Sequence, residues 1–273
     1  MKTIFITGAS RGFGRLWTEA LLERGDRVVA TARNLTDLEG LKEQYKDRFL
    51  PLQLDVTDRH ASIDAVNKAL KYFERIDVLI NNAGYGLFGT VEETTEEQAR
   101  AQMETNFFGL LWVTQAILPV MRSQKSGHII QVSSFLGLTT LPMLGLYNAS
   151  KFAVEGLSET LATEVVHQNI KITLIEPNGY ATDWAGASAV QTESGITDYQ
   201  PVRDAFATAG EDVSSWGKPG ATISPVLDLI DNPEPPLRLL FGKVAYAAVE
   251  QSLNSRLQQI HHWKDVSIKA HGH

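Results

Sequence analysis

The fold is decided by a short stretch, Thr7-Gly8-Ala9-Ser10-Arg11-Gly12-Phe13-Gly14, which joins a β-rich run at residues 3–7 to a helical pattern at residues 12–24. In a parallel α/β sheet, this strand-to-helix position binds the pyrophosphate of a nucleotide. Gly8 permits a tight turn, Gly12 lets the backbone approach a phosphate, and Gly14 lets the helix pack on the strand. Three glycines near a helix start can also be only a turn, but the flanking strand and helix are the context that nucleotide binding requires.

Outward from this stretch, β-rich runs alternate with helical patterns as far as Pro177. Such alternation predicts parallel strands joined by crossover helices. No linker or repeat interrupts it, so we predict one α/β domain over residues 1–273, a Rossmann-like doubly wound parallel sheet of about seven strands with helices on both faces. The predicted strands are 3–7, 27–32, 49–54, 77–80, 128–132, 171–175 and 238–241; the predicted helices are 12–24, 35–45, 61–73, 95–121, 147–167, 224–230 and 244–260.

The longest of these helices begins at Thr95-Glu96-Glu97-Gln98, which is a capping-box pattern. Helical spacing predicts an inward row of Met103, Phe107, Leu110, Thr114 and Ile117. Leu111, Trp112 and Val113 add apolar residues on another face of the helix. This pattern is typical either of a helix that pairs with another subunit or of a deeply buried helix.

The regular alternation ends after Pro177. Residues 182–220, the lid segment, are rich in Ala, Ser, Thr and Gly and are long for a connection in a compact domain. Such a segment is either a lid that binds substrate or poorly ordered. Residues 261–273 are predicted to be a solvated C-terminal tail, whose histidines His261, His262, His271 and His273 lack the fixed geometry that a metal site needs.

Composition excludes several classes of function. The 273 residues carry a net charge of −7, which argues against nucleic acid or an anionic membrane surface as the main partner. The chain contains no Cys, so disulfides and thiolate metal sites are excluded, as fits a reducing cytoplasm. No apolar run is long enough for a signal sequence or a membrane span. We therefore expect a soluble, unprocessed cytoplasmic protein without metal, nucleic-acid or membrane partners.

A candidate for proton transfer lies at Tyr147-Asn148-Ala149-Ser150-Lys151. Residues four apart share one face of a helix, so the Tyr147 hydroxyl and the Lys151 ammonium can reach the same point. A nearby cation lowers the pKa of a phenol towards the working pH, where a general acid or base is most effective. Tyr-x-x-x-Lys alone is common on helix surfaces, and only its surroundings favour the catalytic interpretation.

Together with the glycine turn, these residues resemble the short-chain dehydrogenase/reductase family, which pairs Thr-Gly-x-x-x-Gly-x-Gly with Tyr-x-x-x-Lys. The resemblance extends in order through Asp55-Val56, Asn81-Asn82-Ala83-Gly84, Asn106 and Ser134 to about Thr182. It implies that Ser134 and Tyr147 bind the substrate oxygen, that Tyr147 passes the proton, and that Lys151 binds the nicotinamide ribose. Asn106 would hold a water that links Lys151 to solvent. The other interpretations are a strand-end cap for Asp55, a buried polar group for Asn106 and a loop hydroxyl for Ser134.

The resemblance also implies a nicotinamide cofactor. Its expected contacts are Gly8, Ser10, Arg11, Gly12, Phe13, Gly14, Arg33, Asn34, Asp55, Val56, Asn82, Ala83, Gly84, Tyr147, Lys151, Pro177, Gly179 and Thr182. The family's Pro-Gly appears here as Pro177-Asn178-Gly179, and Asn tolerates the unusual backbone angles of such a turn.

NADP(H) is predicted in preference to NAD(H). Ala32 stands at the end of the second strand, where an NAD enzyme usually has an acid. Arg11 and Arg33 can converge on a 2′-phosphate, although either arginine alone would be interpreted as solvated surface.

The predicted activity is that of an NADP(H)-dependent carbonyl reductase acting on a hydrophobic ketone or aldehyde. Two alternatives stay open: oxidation of a steroid-like or retinoid-like alcohol, and a nucleotide-binding regulatory protein without catalysis. The apolar candidates for the substrate pocket are Phe135, Leu136, Leu138, Leu141, Met143 and Leu144, with Tyr85, Tyr180 and Trp184 as neighbours; several of the leucines can equally be core. By resemblance, the two long helices also pair subunits into a homodimer or homotetramer.

Overall fold

The structure is a computed structural model that describes residues 1–186 and 189–272. Ala187 and Ser188 of the predicted lid segment, and His273 of the predicted tail, lie outside the described residues. None of the helices in the described part of the chain is long and apolar enough to cross a membrane.

The central sheet confirms the predicted fold class. Within the described residues it has seven parallel strands in the order β3-β2-β1-β4-β6-β7-β9. The order reverses between β1 and β4, so a crevice opens at the carboxyl ends of these strands. The strand bounds are β1 Thr3–Ile6, β2 Arg27–Ala32, β3 Phe49–Gln53, β4 Val78–Asn81, β5 Leu87–Phe88, β6 Gly127–Val132, β7 Ile170–Pro177, β8 Val190–Gln191 and β9 Arg238–Phe241.

Helices cover both faces of this sheet, and each face has its own apolar core. One core joins α1 and α8 to the sheet through Trp17, Leu21 and Leu229. The other joins α3, α5 and α6 through residues such as Val66, Ile117 and Leu161. The α-helix bounds are α1 Gly12–Arg24, α2 Glu39–Tyr45, α3 Arg59–Phe73, α4 Glu96–Met103, α5 Leu110–Gln124, α6 Gly145–Val165, α7 Gln200–Glu211, α8 Ile223–Asp231, α9 Lys243–His262 and α10 Lys264–Lys269.

The long helix that begins at the predicted capping box of Thr95 is interrupted by a π-helical segment, Glu104–Gly109. Leu110, Thr114 and Ile117 of the predicted inward row are buried as predicted. Met103 and Phe107 are half-buried, and Phe107 packs against the core cluster that contains Leu110. The buried residues of this part of the helix include Gln102 and Asn106, and Asn106 lies within the π-helical segment.

Two further regions differ from the sequence prediction. The lid segment contains the helix α7 and the strand β8, which pairs with β5 in a separate two-stranded sheet. The predicted tail is helical: α9 continues to His262, and α10 follows at Lys264–Lys269. Its described residues are exposed, so the prediction that this end is solvated agrees with the structure, whereas its helical conformation was not predicted.

Candidate active site

The glycine turn between β1 and α1 has the backbone geometry that its sequence predicts. Gly8 has φ +67° and Gly12 has φ +56°, both in the left-handed region that favours glycine. A Cβ at Gly8 would lie 2.8 Å from the Ala83 Cα, and one at Gly14 would lie 2.2 Å from the Gly8 carbonyl oxygen. Side chains are therefore excluded where the turn, α1 and the loop after β4 meet.

The start of α1 is suited to an anion. No side chain among the described residues caps this helix at Arg11, and its first turn carries no acid. The backbone N–H groups of the first turn and the positive end of the helix dipole are thus available to a pyrophosphate. Ser10 lies half-buried in this turn, and the Phe13 ring stacks on Trp17 at 5.0 Å and meets Tyr180 edge to face at 5.1 Å.

The loop after β4 is locked onto the same turn. Asn82 Nδ2 donates to the carbonyl oxygens of Thr7 and Gly8, each at 3.0 Å. The Thr7 hydroxyl accepts from the backbone N–H groups of Asn82 and Ala83, also at 3.0 Å. This network fixes the backbone surface against which a cofactor would lie.

The end of β2 leaves two cations available. Ala32 is buried, while Arg11, Arg33 and Asn34 are exposed. Within the described residues, neither guanidinium group has an ion pair or a hydrogen-bond partner. Because no acid stands at this strand end, an added negative charge here would meet two unpaired arginines.

Asn34 and Asp55 are partly engaged in local turns. Asn34 Oδ1 accepts from the Thr36 N–H at 3.2 Å, and Asp55 Oδ1 accepts from the Thr57 N–H and hydroxyl at 3.0 and 2.8 Å. Val56 is buried against Gly109, where a Cβ would lie 2.6 Å from the Val56 Cγ2. Asp55 thus has the capping role of the simpler interpretation, and its expected contact with the cofactor stays a prediction.

Ser134 and Tyr147 meet at the carboxyl end of β6. Ser134 Oγ accepts from the Leu136 N–H at 3.1 Å and donates to the Pro177 carbonyl oxygen at 3.4 Å. Both side chains are 5% exposed. Burial raises the pKa of Tyr147 above its ordinary value, and a hydrogen bond with the Ser134 hydroxyl acts in the opposite direction.

The pKa of Tyr147 is raised by burial, and not lowered as the sequence predicted, and among the described residues Lys151 has no hydrogen bond with the Tyr147 hydroxyl. Lys151 Nζ donates to the Val132 carbonyl oxygen at 2.8 Å and lies 5.6 Å from the centroid of the Tyr147 ring. The ammonium thus faces the ring and the end of β6. Burial lowers the pKa of Lys151 to about 8, and the charge of Glu155 opposes this shift.

Asn106 holds the loop after β4 against α6. Its Nδ2 donates to the Tyr85 carbonyl oxygen at 3.0 Å and to Ser150 Oγ at 3.2 Å, while its Oδ1 accepts from the Tyr85 N–H at 3.1 Å. Gly84 lies between this amide and Lys151: a Cβ there would be 3.1 Å from Asn106 Oδ1 and 3.9 Å from Lys151 Nζ. The missing side chain leaves a polar gap, and the predicted water of Asn106 stays a prediction.

The turn after β7 forms without an unusual backbone angle at Asn178. Its φ is not positive, and its side chain donates to the carbonyl oxygens of Gly179 and Ser215 at 2.8 and 3.3 Å. Gly242 is required next to it, because a Cβ there would lie 1.5 Å from Asn178 Oδ1. Thr182 lies beside the glycine turn, 4.0 Å from where a Gly12 Cβ would be.

The lid segment places Trp184 on the predicted proton donor. The rings of Trp184 and Tyr147 are edge to face at 4.9 Å, and Phe88 lies 5.4 Å from Trp184. Of the six candidate pocket residues, Phe135, Leu136 and Leu144 are buried core, as the simpler interpretation holds; Leu138 and Met143 are half-buried, and Leu141 is exposed. The apolar wall beside Tyr147 is therefore made chiefly of Trp184, Phe88 and Leu138.

A carboxylate that the sequence did not single out fixes the lid segment. Glu93 Oε1 accepts from the N–H groups of Gly195 and Ile196 at 2.9 Å and pairs with Arg203 Nη2 at 2.5 Å. Its second oxygen accepts from the Thr90 hydroxyl at 2.6 Å. These hydrogen bonds, that of Thr90 most strongly, hold the pKa of Glu93 at about 2, so the contact is ionised at neutral pH.

A family model described as short chain dehydrogenase matches residues 2–193, a range that contains the glycine turn and all four predicted catalytic residues. The chain belongs to the short-chain dehydrogenase family. Over 275 residues it is 42% identical to Oxidoreductase BOA17 of Botryotinia fuckeliana, with 98% of each chain covered. The 3-ketodihydrosphingosine reductase of Bacteroides thetaiotaomicron is 43% identical over 181 residues, 66% of this chain and 65% of that one. A crystal structure of a short-chain dehydrogenase from Streptomyces avermitilis has a TM-score of 0.90 at 34% identity and covers 99% of this chain and 100% of that one.

More distant structures of the short-chain dehydrogenase fold differ in their cofactors. One at 25% identity holds NADP and another at 24% identity holds NAD. Structures of this fold thus occur with either cofactor. Sequence reasoning missed Glu93, because a single carboxylate in a loop gives no periodic signal.

Proposed function

We propose that the protein is an NADP(H)-dependent carbonyl reductase that converts a hydrophobic ketone or aldehyde to the alcohol. The observation that carries this proposal is the position of the Tyr147 hydroxyl. It is buried beside the Ser134 hydroxyl, with Lys151 beneath its ring, at the end of the sheet that also carries the glycine turn. A neutral phenol carries the proton that carbonyl reduction needs, and a nearby ammonium favours the phenolate that its loss leaves.

The residues of this site supply the proton and hold the reacting oxygen. Ser134 and Tyr147 would donate hydrogen bonds to the substrate oxygen, and Tyr147 would give its proton as negative charge develops there. Lys151 then stabilises the phenolate that remains. The glycine turn, Asn82, Ala83, Gly84 and the turn at Pro177, Gly179 and Thr182 would hold a nicotinamide cofactor, which supplies the hydride when bound.

The preference for NADP(H) is supported by Arg11 and Arg33. Both are exposed and unpaired within the described residues, and the buried Ala32 occupies the position where an acid would repel a 2′-phosphate. A phosphate accepts several charge-assisted hydrogen bonds, which guanidinium groups are shaped to donate.

The substrate class is supported by the wall beside Tyr147. Trp184, Phe88 and Leu138 pack in one apolar cluster with Tyr147, which favours a hydrophobic molecule bound through one oxygen. The name of the Bacteroides thetaiotaomicron relative is that of a ketone reductase. A ketone on an apolar chain or ring is therefore the substrate we propose, with oxidation of the alcohol as the reverse reaction.

A panel of carbonyl compounds tests this function. Aliphatic, aromatic and cyclic ketones and aldehydes would be supplied with NADPH, and the fall in its absorbance followed. We expect turnover with apolar ketones and none with short hydroxylated ones. Binding of NADPH without turnover of any carbonyl or alcohol would instead support the alternative, a non-catalytic nucleotide-binding protein.

We also propose that the protein assembles as a homodimer or homotetramer through α4, α5 and α6. Trp112 is half-buried on the outer side of α5, where it stacks with Phe108 at 5.8 Å and lies under Arg59. Such an aromatic patch is suited to a symmetric interface between two copies. Light scattering at micromolar concentration should give a dimer or tetramer mass, and a monomer mass would contradict the assembly.

A further inference from the structure

Two glutamates are buried together behind the predicted active site. Glu155 on α6 is 4% exposed, and Glu176 on β7 is 0% exposed. Carboxylates are almost never buried without a partner, because removing a charge from water is costly. The proposed reaction uses neither of them, so their position requires another explanation.

Among the described residues, Arg238 is the cation nearest both carboxyl groups, but it forms a hydrogen bond with only one of them. Arg238 Nε lies 3.1 Å from Glu155 Oε2 but 3.6 Å from Glu176 Oε1, and its Nη2 donates to Glu159 at 2.9 Å. Within the described part of the chain, Glu155 Oε1 and both Glu176 oxygens have no hydrogen-bond partner at normal distance. A single guanidinium therefore cannot satisfy two ionised carboxylates here. A proton on one carboxyl group would remove one of the two charges and provide a hydrogen-bond donor between them.

The electrostatics of the pair lead to the same conclusion. Burial raises the pKa of Glu176 to about 8, and the negative charge of Glu155 adds to the shift while Arg238 opposes it. Burial also raises the pKa of Glu155, whereas the hydroxyl of Ser133 and the charge of Arg238 lower it. Two like charges this close resist double ionisation, so at neutral pH the pair keeps one proton and one negative charge.

The charge of this pair is directed towards Lys151. Glu155 follows Lys151 by four residues on α6, so both side chains lie on one face of that helix. Gly137 leaves room for the cluster, because a Cβ there would lie 3.0 Å from Ser133 Oγ and 3.1 Å from Glu155 Oε1. Lys151 itself binds the carbonyl oxygen of Val132, next to Ser133.

We propose that Glu155 and Glu176 keep one proton between them, that this proton is on Glu176, and that the negative charge left on Glu155 holds Lys151 in its protonated form. Glu155 is thus a positioning residue that acts through Lys151, and its importance for turnover rests on the proposed function. The groups facing the pair are Lys151 and Glu159 on α6, Ser133 at the end of β6 and Arg238 on β9. Of the three glutamates Glu155, Glu159 and Glu176, Glu155 is the one whose charge favours the protonated form of Lys151.

The sign of the effect follows from the two influences on Lys151. Burial favours the neutral amine, and the charge of Glu155 favours the ammonium. Removing that charge should lower the pKa of Lys151 by about one unit, the low end of what a neighbouring charge does. With a pKa near 8 in the wild type, the ammonium fraction at pH 7 should then fall from about nine-tenths to about half.

Nuclear magnetic resonance of protein labelled with ¹³C at lysine Cε can follow this titration directly, with Lys151→Arg used to assign the signal. The measurement needs no substrate, so it is independent of whether the proposed reaction is correct. Glu155→Gln should shift the titration to lower pH. Glu176→Gln should leave it in place, because glutamine imitates the protonated acid. Glu159→Gln is the matched control, since this glutamate also binds Arg238 but is 62% exposed.

Infrared spectra test the shared proton separately. Difference spectra between unlabelled protein and protein with ¹³C-glutamate should contain the band of a protonated carboxylic acid at pH 7. That band should disappear in Glu176→Gln and persist in Glu159→Gln. An unchanged Lys151 titration in folded Glu155→Gln, or an equal shift in Glu159→Gln, would overturn the proposal. If Glu155→Gln does not fold, absence of the acid band in the wild type would overturn it.

Discussion

The site floor and the lid segment are held in place by different means. The floor consists of the predicted catalytic residues: Asn106 in the π-helical segment, Ser134 just after β6, and Tyr147 and Lys151 on α6. Backbone groups anchor it, through Val132, Pro177 and Tyr85. The lid segment adds the two-residue pairing of β5 with β8, and two carboxylates of the loop before α4, Glu92 and Glu93, bind it. A rigid floor preserves the geometry of the reaction, whereas a lid held by few bonds can open for substrate.

Deleting the Tyr147 hydroxyl should have the largest effect and should leave the lid segment intact. Tyr147→Phe keeps the ring against Trp184, so folding and cofactor binding should persist. We expect kcat to fall by about two to four orders of magnitude, the usual contribution of general acid–base catalysis. Steady-state kinetics with a ketone from the panel would measure it.

The matched control for this change lies in the lid segment. Tyr199→Phe also removes one phenolic hydroxyl, which donates to the exposed Glu92 at 2.6 Å. It should change kcat by less than about twofold, because a single exposed hydrogen bond contributes little. Similar losses in both variants would mean that the floor is not where the proton is transferred.

The second largest effect is expected at the end of β2, where Arg11 and Arg33 are proposed to bind the cofactor. Two charge-assisted hydrogen bonds of about 1.5 to 3 kcal/mol each, discounted for exposure, imply a preference for NADPH of about ten- to several-hundredfold in kcat/KM. Arg33→Ala combined with Ala32→Asp should weaken NADPH and improve NADH. Arg100→Ala is the control, because this arginine is exposed on α4 and pairs with Glu96. Equal kcat/KM for NADPH and NADH in the wild type would show that the arginines do not bind the phosphate.

The smallest effect is expected in the lid segment itself. Glu93→Gln removes the charge that pairs with Arg203 and weakens the contacts to Gly195 and Ile196. Hydrogen exchange at residues 190–203 should quicken by up to about fivefold, the upper range for an ion pair of this kind. Exchange in β6 and α6 should not change.

The pH dependence of this contact has a definite sign. The pKa of Glu93 is depressed to about 2, so its contribution is complete above the ordinary pKa of a glutamate and is lost as pH falls through the depressed value. Glu92→Gln is the control, since it removes a neighbouring exposed carboxylate of the same loop. Equal exchange in wild type and Glu93→Gln would mean that this carboxylate does not hold the lid segment.

The same contrast explains how much could be predicted from the sequence. The sequence that builds the sheet and carries the floor is periodic. Its alternating strands and helices, and its glycines at fixed spacing, predicted the sheet and the bounds of α1 and β2. The lid segment has no such period, so α7, β8 and the role of Glu93 could not be predicted. Contacts between residues far apart in sequence, such as Glu93 with Arg203, depend on tertiary packing alone.

Within the floor, sequence reasoning failed where local geometry departs from the ideal helix. Periodicity assigned Met103 and Phe107 to the inward face, but both are half-buried, and the fully buried residues beside them are Gln102 and Asn106. The expected effect of Lys151 on Tyr147 assumed contact with the hydroxyl, whereas burial dominates and the ammonium faces the ring. Glu155 could have been suspected from its spacing to Lys151, but its burial with Glu176 required the fold.

Transfer of a labelled hydrogen tests the central claim most directly. Wild type and Tyr147→Phe would each be incubated with NADPH carrying deuterium at both C4 positions and with a mixture of apolar ketones, and the alcohols analysed by mass spectrometry. We predict one deuterium at the carbinol carbon of at least one alcohol with the wild type, and at most about a hundredth as much with Tyr147→Phe in the same time. Cofactor binding by both proteins without labelled alcohol from the wild type would contradict the assignment of a carbonyl reductase.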